Sequence, residues 1–238
     1  MRLPIGFWSN SAAQHSQSLE AWFAHLPGVV VMCPATPQDN YSMLTHALRG
    51  EDPVIYMENK ELWGLQGEVD DGLVYTPGRA HVLRRGADLT LVSWSAAVHT
   101  AAQAAESLAA QGVDASVIDL GTLWPWDRKT VLDDVARTRR LLVVHDAVQT
   151  AGFGAEVAAT AAQATGCRIG RLGAPRIPVG YAARLEAVIA TAAMDEASRS
   201  AWCRENGLYA HQLQQWKDSA TQSLAAPGPS SNPRTSRR

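Results

Sequence analysis

Short apolar, β-branched runs alternate with stretches of helical spacing along most of this chain. Val29-Val30-Val31-Met32 ends at Cys33-Pro34, and Pro53-Val54-Ile55-Tyr56-Met57-Glu58 follows Gly50-Glu51-Asp52. Such runs lack the polar alternation of a half-wet strand, so they read as strands buried on both faces, which favours a parallel sheet. Between them, Asp39 to Leu48 sets Tyr41, Leu44 and Leu48 at helical spacing, and β-α-β is the natural reading. Residues 59–80 carry Gly64, Gly67, Gly72 and Gly78 with little periodicity and read as a connector between domains.

From His81 the pattern becomes regular. Leu89 to Trp94 is a predicted strand, with Ser95 placed to cap the next helix. Val98, Ala101, Ala102, Ala105, Leu108 and Ala109 form that helix's apolar stripe, and Gly112 stops it in the left-handed position. The series continues with a strand at Ala115–Leu120, a helix near Thr130–Thr138 and a strand at Leu141–His145. A helix over Ala155–Ala164, a short strand around Arg168–Leu172 and a helix near Tyr181–Ala193 follow. Strands and helices in this alternation need right-handed crossovers and give a doubly wound sheet. Past about Met194 the character changes. Charged residues and two tryptophans appear, and from about Ser223 the Pro-, Gly- and Ser-rich tail is too polar to pack, so disorder is expected there.

Composition narrows the function classes. The 238 residues provide ample apolar content for a buried core, and a net charge of −2 gives no footprint for a polyanionic partner. Cys33, Cys167 and Cys203 are scattered and lack metal-ligand spacing, which fits buried thiols in a reduced, cytoplasmic setting. No apolar run reaches the length of a membrane span.

The candidate chemistry lies early, in Gln14-His15-Ser16-Gln17. Imidazole exchanges protons near neutral pH, and Gln14, Ser16 and Gln17 stand ready to fix its tautomer. The plainer alternative is a histidine at a helix start, with Ser16 or Ser18 capping a helix that contains Leu19, Trp22 and Phe23.

This tetrapeptide, with Ser18-Leu19-Glu20-Ala21-Trp22-Phe23 after it, resembles a signature of the β subunit of thiamine-diphosphate-dependent 2-oxo acid dehydrogenases, the E1 component. The similarity extends over roughly residues 2–190. It includes Pro34-Ala35-Thr36-Pro37 with Asp39, Asp52–Glu58, Pro77-Gly78-Arg79-Ala80 and Gly86–Val92. Further along it includes Val117–Leu120 with Leu123, Pro125 and Asp127, then Gly152–Glu156 and Ala174-Pro175. The resemblance implies a fold in the α/β class: a partial pyrimidine-binding domain over residues 1–75 and a doubly wound transketolase C-terminal-like domain over 76–193. A helical hairpin over 194–222 and a disordered tail over 223–238 would follow.

It implies oxidative decarboxylation of a 2-oxo acid, or cleavage of acetoin, with acyl transfer to a lipoyl group on the E2 acyltransferase core. Thiamine diphosphate would be shared with an E1 α subunit that also holds the magnesium ion, and a second β subunit would complete the assembly. His15 would handle protons near the enamine or the lipoyl sulfur. In the family the pyrimidine-binding domain begins well before this histidine, and its early part carries an acid that activates the cofactor ring. An N-terminally truncated subunit is therefore expected, with no carboxylate of this chain assigned that acid's role and with parallel strands left with open edges. Gly121 and Asp146 depart from the family's usual arginine and glutamate. Gly50 stands where an acidic residue commonly lies near a monovalent-cation site.

Other motifs have bland readings beside the sharp ones. Gly152-Phe153-Gly154 suggests a phosphate loop, but the third glycine is missing and close packing of helix on strand is favoured. His145-Asp146 is read as structural, and Lys60, Glu61 and Trp63 as a solvated loop. Ala201–Tyr209 with Leu213 and Trp216-Lys217 resembles a helix-turn-helix segment of insertion-sequence transposases, yet has too few basic residues for a nucleic-acid partner to be expected. The alternative to an enzyme subunit is a non-catalytic interaction module or remnant of the same family fused to mobile-element sequence.

Overall fold

The computed structural model describes residues 1–6, 15–174, 191–192, 194–205, 210–211, 213–215 and 217–218. Packing divides the chain into two compact units, Met1–Arg176 and Ile177–Arg238. The first holds two sheets. Strands β1 (Arg2–Ile5), β2 (Val30–Met32) and β3 (Val54–Asn59) run parallel in the order β1-β3-β2. Helix α1 (Glu20–Ala24) precedes β2, and α2 (Pro37–Arg49) is the crossover from β2 to β3. The second sheet contains β4 (His81–Arg84), β5 (Leu89–Ser93), β6 (Ala115–Asp119), β8 (Arg140–Val148) and β9 (Arg168–Ala174), in the order β4-β6-β5-β8-β9. Helices α3 (Ala97–Ala109), α4 (Arg128–Thr138) and α5 (Gly154–Thr165) join its parallel members.

The α/β expectation holds, although both sheets are mixed rather than purely parallel. β4 pairs with β6 antiparallel, and the short strand β7 (Thr122–Trp124) leaves the second sheet to pair antiparallel with β2. β7 thus covers the edge of β2 that the sequence leaves open, which corrects that expectation. β1 is the outer strand of its sheet among the described residues, and Pro4, which cannot donate to a ladder, lies within it.

Side chains from both sheets form one continuous core. Ile5, Val31, Cys33, Ile55 and Met57 pack with Val92, Trp94, Ile118, Leu120, Leu123, Val131 and Val143. Burying each large aliphatic group contributes roughly 1.5–3 kcal/mol, so this shared interior is what makes one unit of two sheets. Polar ties cross the same boundary. Cys33 N donates to Gly121 O at 2.7 Å, and His99 Nε2 is bonded to Ala35 O at 2.8 Å.

Local signals explain where helices begin. Pro37 occupies the first turn of α2, Thr36 Oγ1 accepts from Asp39 N at 3.0 Å, and Thr36 N donates to Asp39 Oδ2 at 2.9 Å, a complete capping box. Asp127 caps α4 by accepting from Thr130 N at 3.0 Å, and its other oxygen accepts from Ala80 N at 3.0 Å. Two expected caps are absent. Ser95 has φ +55° and a buried hydroxyl without a partner, and the residue before α3 is Ala96. Leu19 precedes α1 without a side-chain cap, so neither Ser16 nor Ser18 has that role. Trp22 is 70% exposed instead of lying on the packed face of α1.

In the second unit α6 (Glu196–Glu205) is helical, as are residues 210–211, 213–215 and 217–218, with Cys203 and Leu213 buried. Gly207, Trp216, nearly all of the helix expected over Tyr181–Ala193, and the tail from Ser223 lie outside the described residues.

Candidate active site around His15

His15 is exposed, and Gln14 lies outside the described residues. The main chain around His15 is held. Lys60 Nζ donates to His15 O at 2.5 Å, and Gly6 N donates to Gln17 O at 3.1 Å. Both anchors sit just past the carboxyl ends of β1 and β3. Ligands of parallel α/β sheets bind at that end, because strand exits and helix entries converge there. Lys60 is thus more than a solvated loop residue. Gly6 has φ +94°, and a β-carbon on it would lie 2.3 Å from Asn59 Oδ1, so only glycine permits this approach of strand ends.

Five residues further along the chain, Glu20 belongs to a largely buried polar cluster. Glu20, the first residue of α1, is 1% exposed and accepts from Trp94 Nε1 at 3.0 Å, while its Oε2 has no partner. Burial raises its pKa, which the Trp94 hydrogen bond partly offsets. The Trp94 ring stacks on His145 with centroids 5.1 Å apart and 13° between planes, and meets Phe153 edge-on at 5.9 Å. His145 is buried with no well-formed hydrogen bond to either ring nitrogen, and desolvation lowers its pKa. Beside it, Asp146 Oδ2 accepts from Asn59 Nδ2 at 2.8 Å, and burial raises the pKa of Asp146.

The second sheet reverses its strand order between β5 and β8, where doubly wound folds open a ligand crevice. Here the buried Trp94 and His145 rings stack at that position, with Glu20 bonded to the indole. Gly152, Gly154 and Gly173 surround the imidazole, and β-carbons on them would approach it to 2.9, 2.7 and 2.7 Å. Gly152-Phe153-Gly154 therefore permits close packing of helix on strand, as the plainer sequence reading has it.

A groove of about 740 Å³ lies elsewhere, between α2 and the segment after β3. Tyr41, Leu44, Leu48, Leu62 and Trp63 line it, with the Arg2–Glu58 ion pair (2.7 Å) at one side. It contains neither His15 nor an unpaired base near the histidine. Among the described residues no group of three or more His, Cys, Asp or Glu side chains is arranged to hold a metal ion. Three carboxyls near the first sheet are engaged: Glu58 with Arg2, Asp39 in its capping box, and one oxygen of Glu20 with Trp94. An exposed imidazole fits the share of a thiamine site that the resemblance assigns to this chain. None of these three carboxyls is a free acid open to a cofactor ring.

Gly121 has φ +58°, and a β-carbon there would lie 2.8 Å from Met43 Cε. A larger side chain here would have to displace the flexible end of Met43. Next to it, Asp119 accepts from Gly121 N at 2.9 Å, and burial with repulsion from Asp39 pushes its pKa up to about 8.

Glu20, Asn59 and Lys60 were not singled out for these roles by the sequence. A glutamate opening a short helix reads as a surface charge that offsets the helix dipole. Its partner lies 74 positions away, beyond any local pattern.

Comparison with known proteins finds two domain models along the chain. Residues 1–65 match the transketolase pyrimidine-binding domain and residues 78–194 the transketolase C-terminal domain. The acetoin:2,6-dichlorophenolindophenol oxidoreductase subunit beta of Cupriavidus necator is 40% identical over 191 residues, covering 78% of this chain and 56% of that protein. The pyruvate dehydrogenase E1 component subunit beta of Rhizobium meliloti is 38% identical over 191 residues, covering 78% and 42%. The 2-oxoisovalerate dehydrogenase subunit beta of Bacillus subtilis is 37% identical over 193 residues, covering 78% and 59%. The chain spans about half the length of these curated relatives. Among solved structures, a split-gene transketolase described as an inactive β4 tetramer superposes with a TM-score of 0.65 at 24% identity, covering 74% of this chain and 57% of that one. A transketolase from Campylobacter jejuni gives 0.57 at 14%, covering 74% and 27%. At these identities the two structures speak for the fold. No described helix is long and apolar enough to cross a membrane.

Proposed function

Because the chain belongs to the transketolase family, with its pyrimidine-binding and C-terminal domains in that order, we propose that it is all or part of the β subunit of a 2-oxo acid dehydrogenase E1 component. The reaction is thiamine-diphosphate-dependent decarboxylation of a 2-oxo acid with acyl transfer to lipoyl-E2. The observation that carries this reading is the similarity to E1 β subunits across both domains, with the exposed, main-chain-anchored His15 at the strand exits.

Thiamine diphosphate, when bound, supplies the carbanion chemistry, and the protein contributes positioning and proton movement. In this reading an E1 α subunit carries the diphosphate end and its magnesium ion, and a second β subunit and the E2 core complete the assembly in the cytoplasm. The role of this chain is narrower. His15 takes up or releases a proton at a ring nitrogen, while Lys60 holds its carbonyl and Gly6 that of Gln17. Glu20 is enclosed and is not the acid that activates the cofactor ring.

The test is assembly with the α subunit of the same source, followed by a decarboxylation assay with thiamine diphosphate and magnesium. Wild type is expected to be active, and His15→Ala to assemble with activity lower by about a hundredfold or more. An assembled wild-type complex without cofactor-dependent decarboxylation would remove the enzyme reading. Unchanged activity in His15→Ala would remove the histidine's role alone.

A further inference from the structure

Helix α1 has five residues and no side-chain cap, too short to be rigid by itself. Its direction, and that of the 15–19 segment leading into it, must be imposed by contacts outside the helix. Two of these, from Gly6 and Lys60, belong to the first sheet. Another comes from the second: Trp94 Nε1 to Glu20 Oε1 at 3.0 Å.

That donor is immobile. Trp94 is 2% exposed, with His145 against one face of its ring and Phe153 at its edge. His145 is itself wedged among three glycines. A chain of rigid contacts thus runs from the centre of the second sheet to the helix that follows His15. Glu20 is a costly residue to place here, since a buried ionisable group with one hydrogen bond and one empty oxygen is poorly compensated. An apolar side chain of the same size would pack without that cost, so stability alone does not account for a carboxyl at this place.

We propose that Glu20 and Trp94 are positioning residues through which the second domain sets the place of His15. The proposal rests on the proton-handling reading of His15 above, and it assigns the C-terminal domain a part in the active site besides subunit contacts.

The first measurement needs no activity. Hydrogen–deuterium exchange of the 15–24 segment in the full chain is expected to rise about tenfold in Glu20→Leu and Trp94→Phe, and to stay at the wild-type rate in Glu20→Gln. Glutamine keeps the accepting oxygen, and phenylalanine keeps an aromatic ring against His145 while removing the donor. Unchanged exchange in both Glu20→Leu and Trp94→Phe would overturn the proposal.

The second measurement is made on the assembled enzyme. Glu20→Leu and Trp94→Phe are expected to lower kcat by about tenfold to a hundredfold with KM little changed, and Glu20→Gln to restore kcat to within about twofold of wild type. In a His15→Ala background the Glu20→Leu effect is expected to vanish, because the residue acts through the histidine. A Glu20→Gln variant as impaired as Glu20→Leu would show a proton role instead of positioning. An undiminished Glu20→Leu effect in the His15→Ala background would show that the tie serves something else. Failure of the His15 reading shows separately, as full activity in His15→Ala alone.

Discussion

A β-carbon built on Gly154 would lie 2.7 Å from both Cδ2 and Nε2 of His145, so α5 can approach β8 only because residue 154 has no side chain. Gly154→Ala is therefore expected to displace the imidazole and loosen its stacking on Trp94. The cost of overpacking such a site is about 1–3 kcal/mol. A denaturant titration should show the lower midpoint with an unchanged slope.

His145 also sets a pH dependence. Its folded pKa is lowered from 6.5, chiefly by desolvation, so below that value the unfolded chain takes up a proton that the folded one resists. Stability should fall as pH drops from about 7 towards 5.5. His145→Leu should flatten this part of the profile. An identical acid slope in the variant, read by thermal unfolding across pH, would show that His145 does not supply it.

Asp119 acts in the opposite direction. Its folded pKa is raised to about 8, so its contribution is fully present below the ordinary carboxylate range and is lost as pH rises through 8. Asp119→Asn keeps an oxygen for Gly121 N and removes the titration. The variant should gain on wild type by up to about 1.4 kcal/mol per pH unit between roughly pH 4 and 8. Parallel stability curves would contradict this.

Asp127 does two jobs from one carboxylate, capping α4 and accepting from Ala80 N in the connector. Asp127→Ala should cost about 1–2 kcal/mol. It should also open the connector near residue 80 to limited proteolysis, and Asp127→Asn should restore most of the loss.

Most of the architecture was readable because it depends on local rules. The β-α-β from Val30 to Asn59 follows from two apolar runs around a helix opened by Thr36-Pro37, and Gly112 at φ +80° ends the α3 region as expected. What was not readable depends on distant partners. Thr122–Trp124 is too short to read as a strand, and nothing in its pattern says that it leaves the sheet of β6 for β2. Ser95 has the composition of a cap, but the strand's exit into the Trp94 cluster forces it to positive φ. At the candidate site His15 was legible from its motif. Glu20 and Lys60 were not, because a charge near a helix start or in a loop looks solvated until the fold brings a buried indole or a carbonyl against it.

The displaced strand β7 also bears on how the molecule is made. As the polypeptide leaves the ribosome, β1, β2 and β3 emerge with one rim of their sheet bare, and the segment that shields it is not synthesised until the ribosome has passed Thr122–Trp124. Until then Val30–Met32 presents an unpaired ladder to the cell. Synthesis halted after β3 has emerged but before β7 has left the ribosome should thus favour capture by chaperones or aggregation, whereas a halt after β7 is out should be harmless.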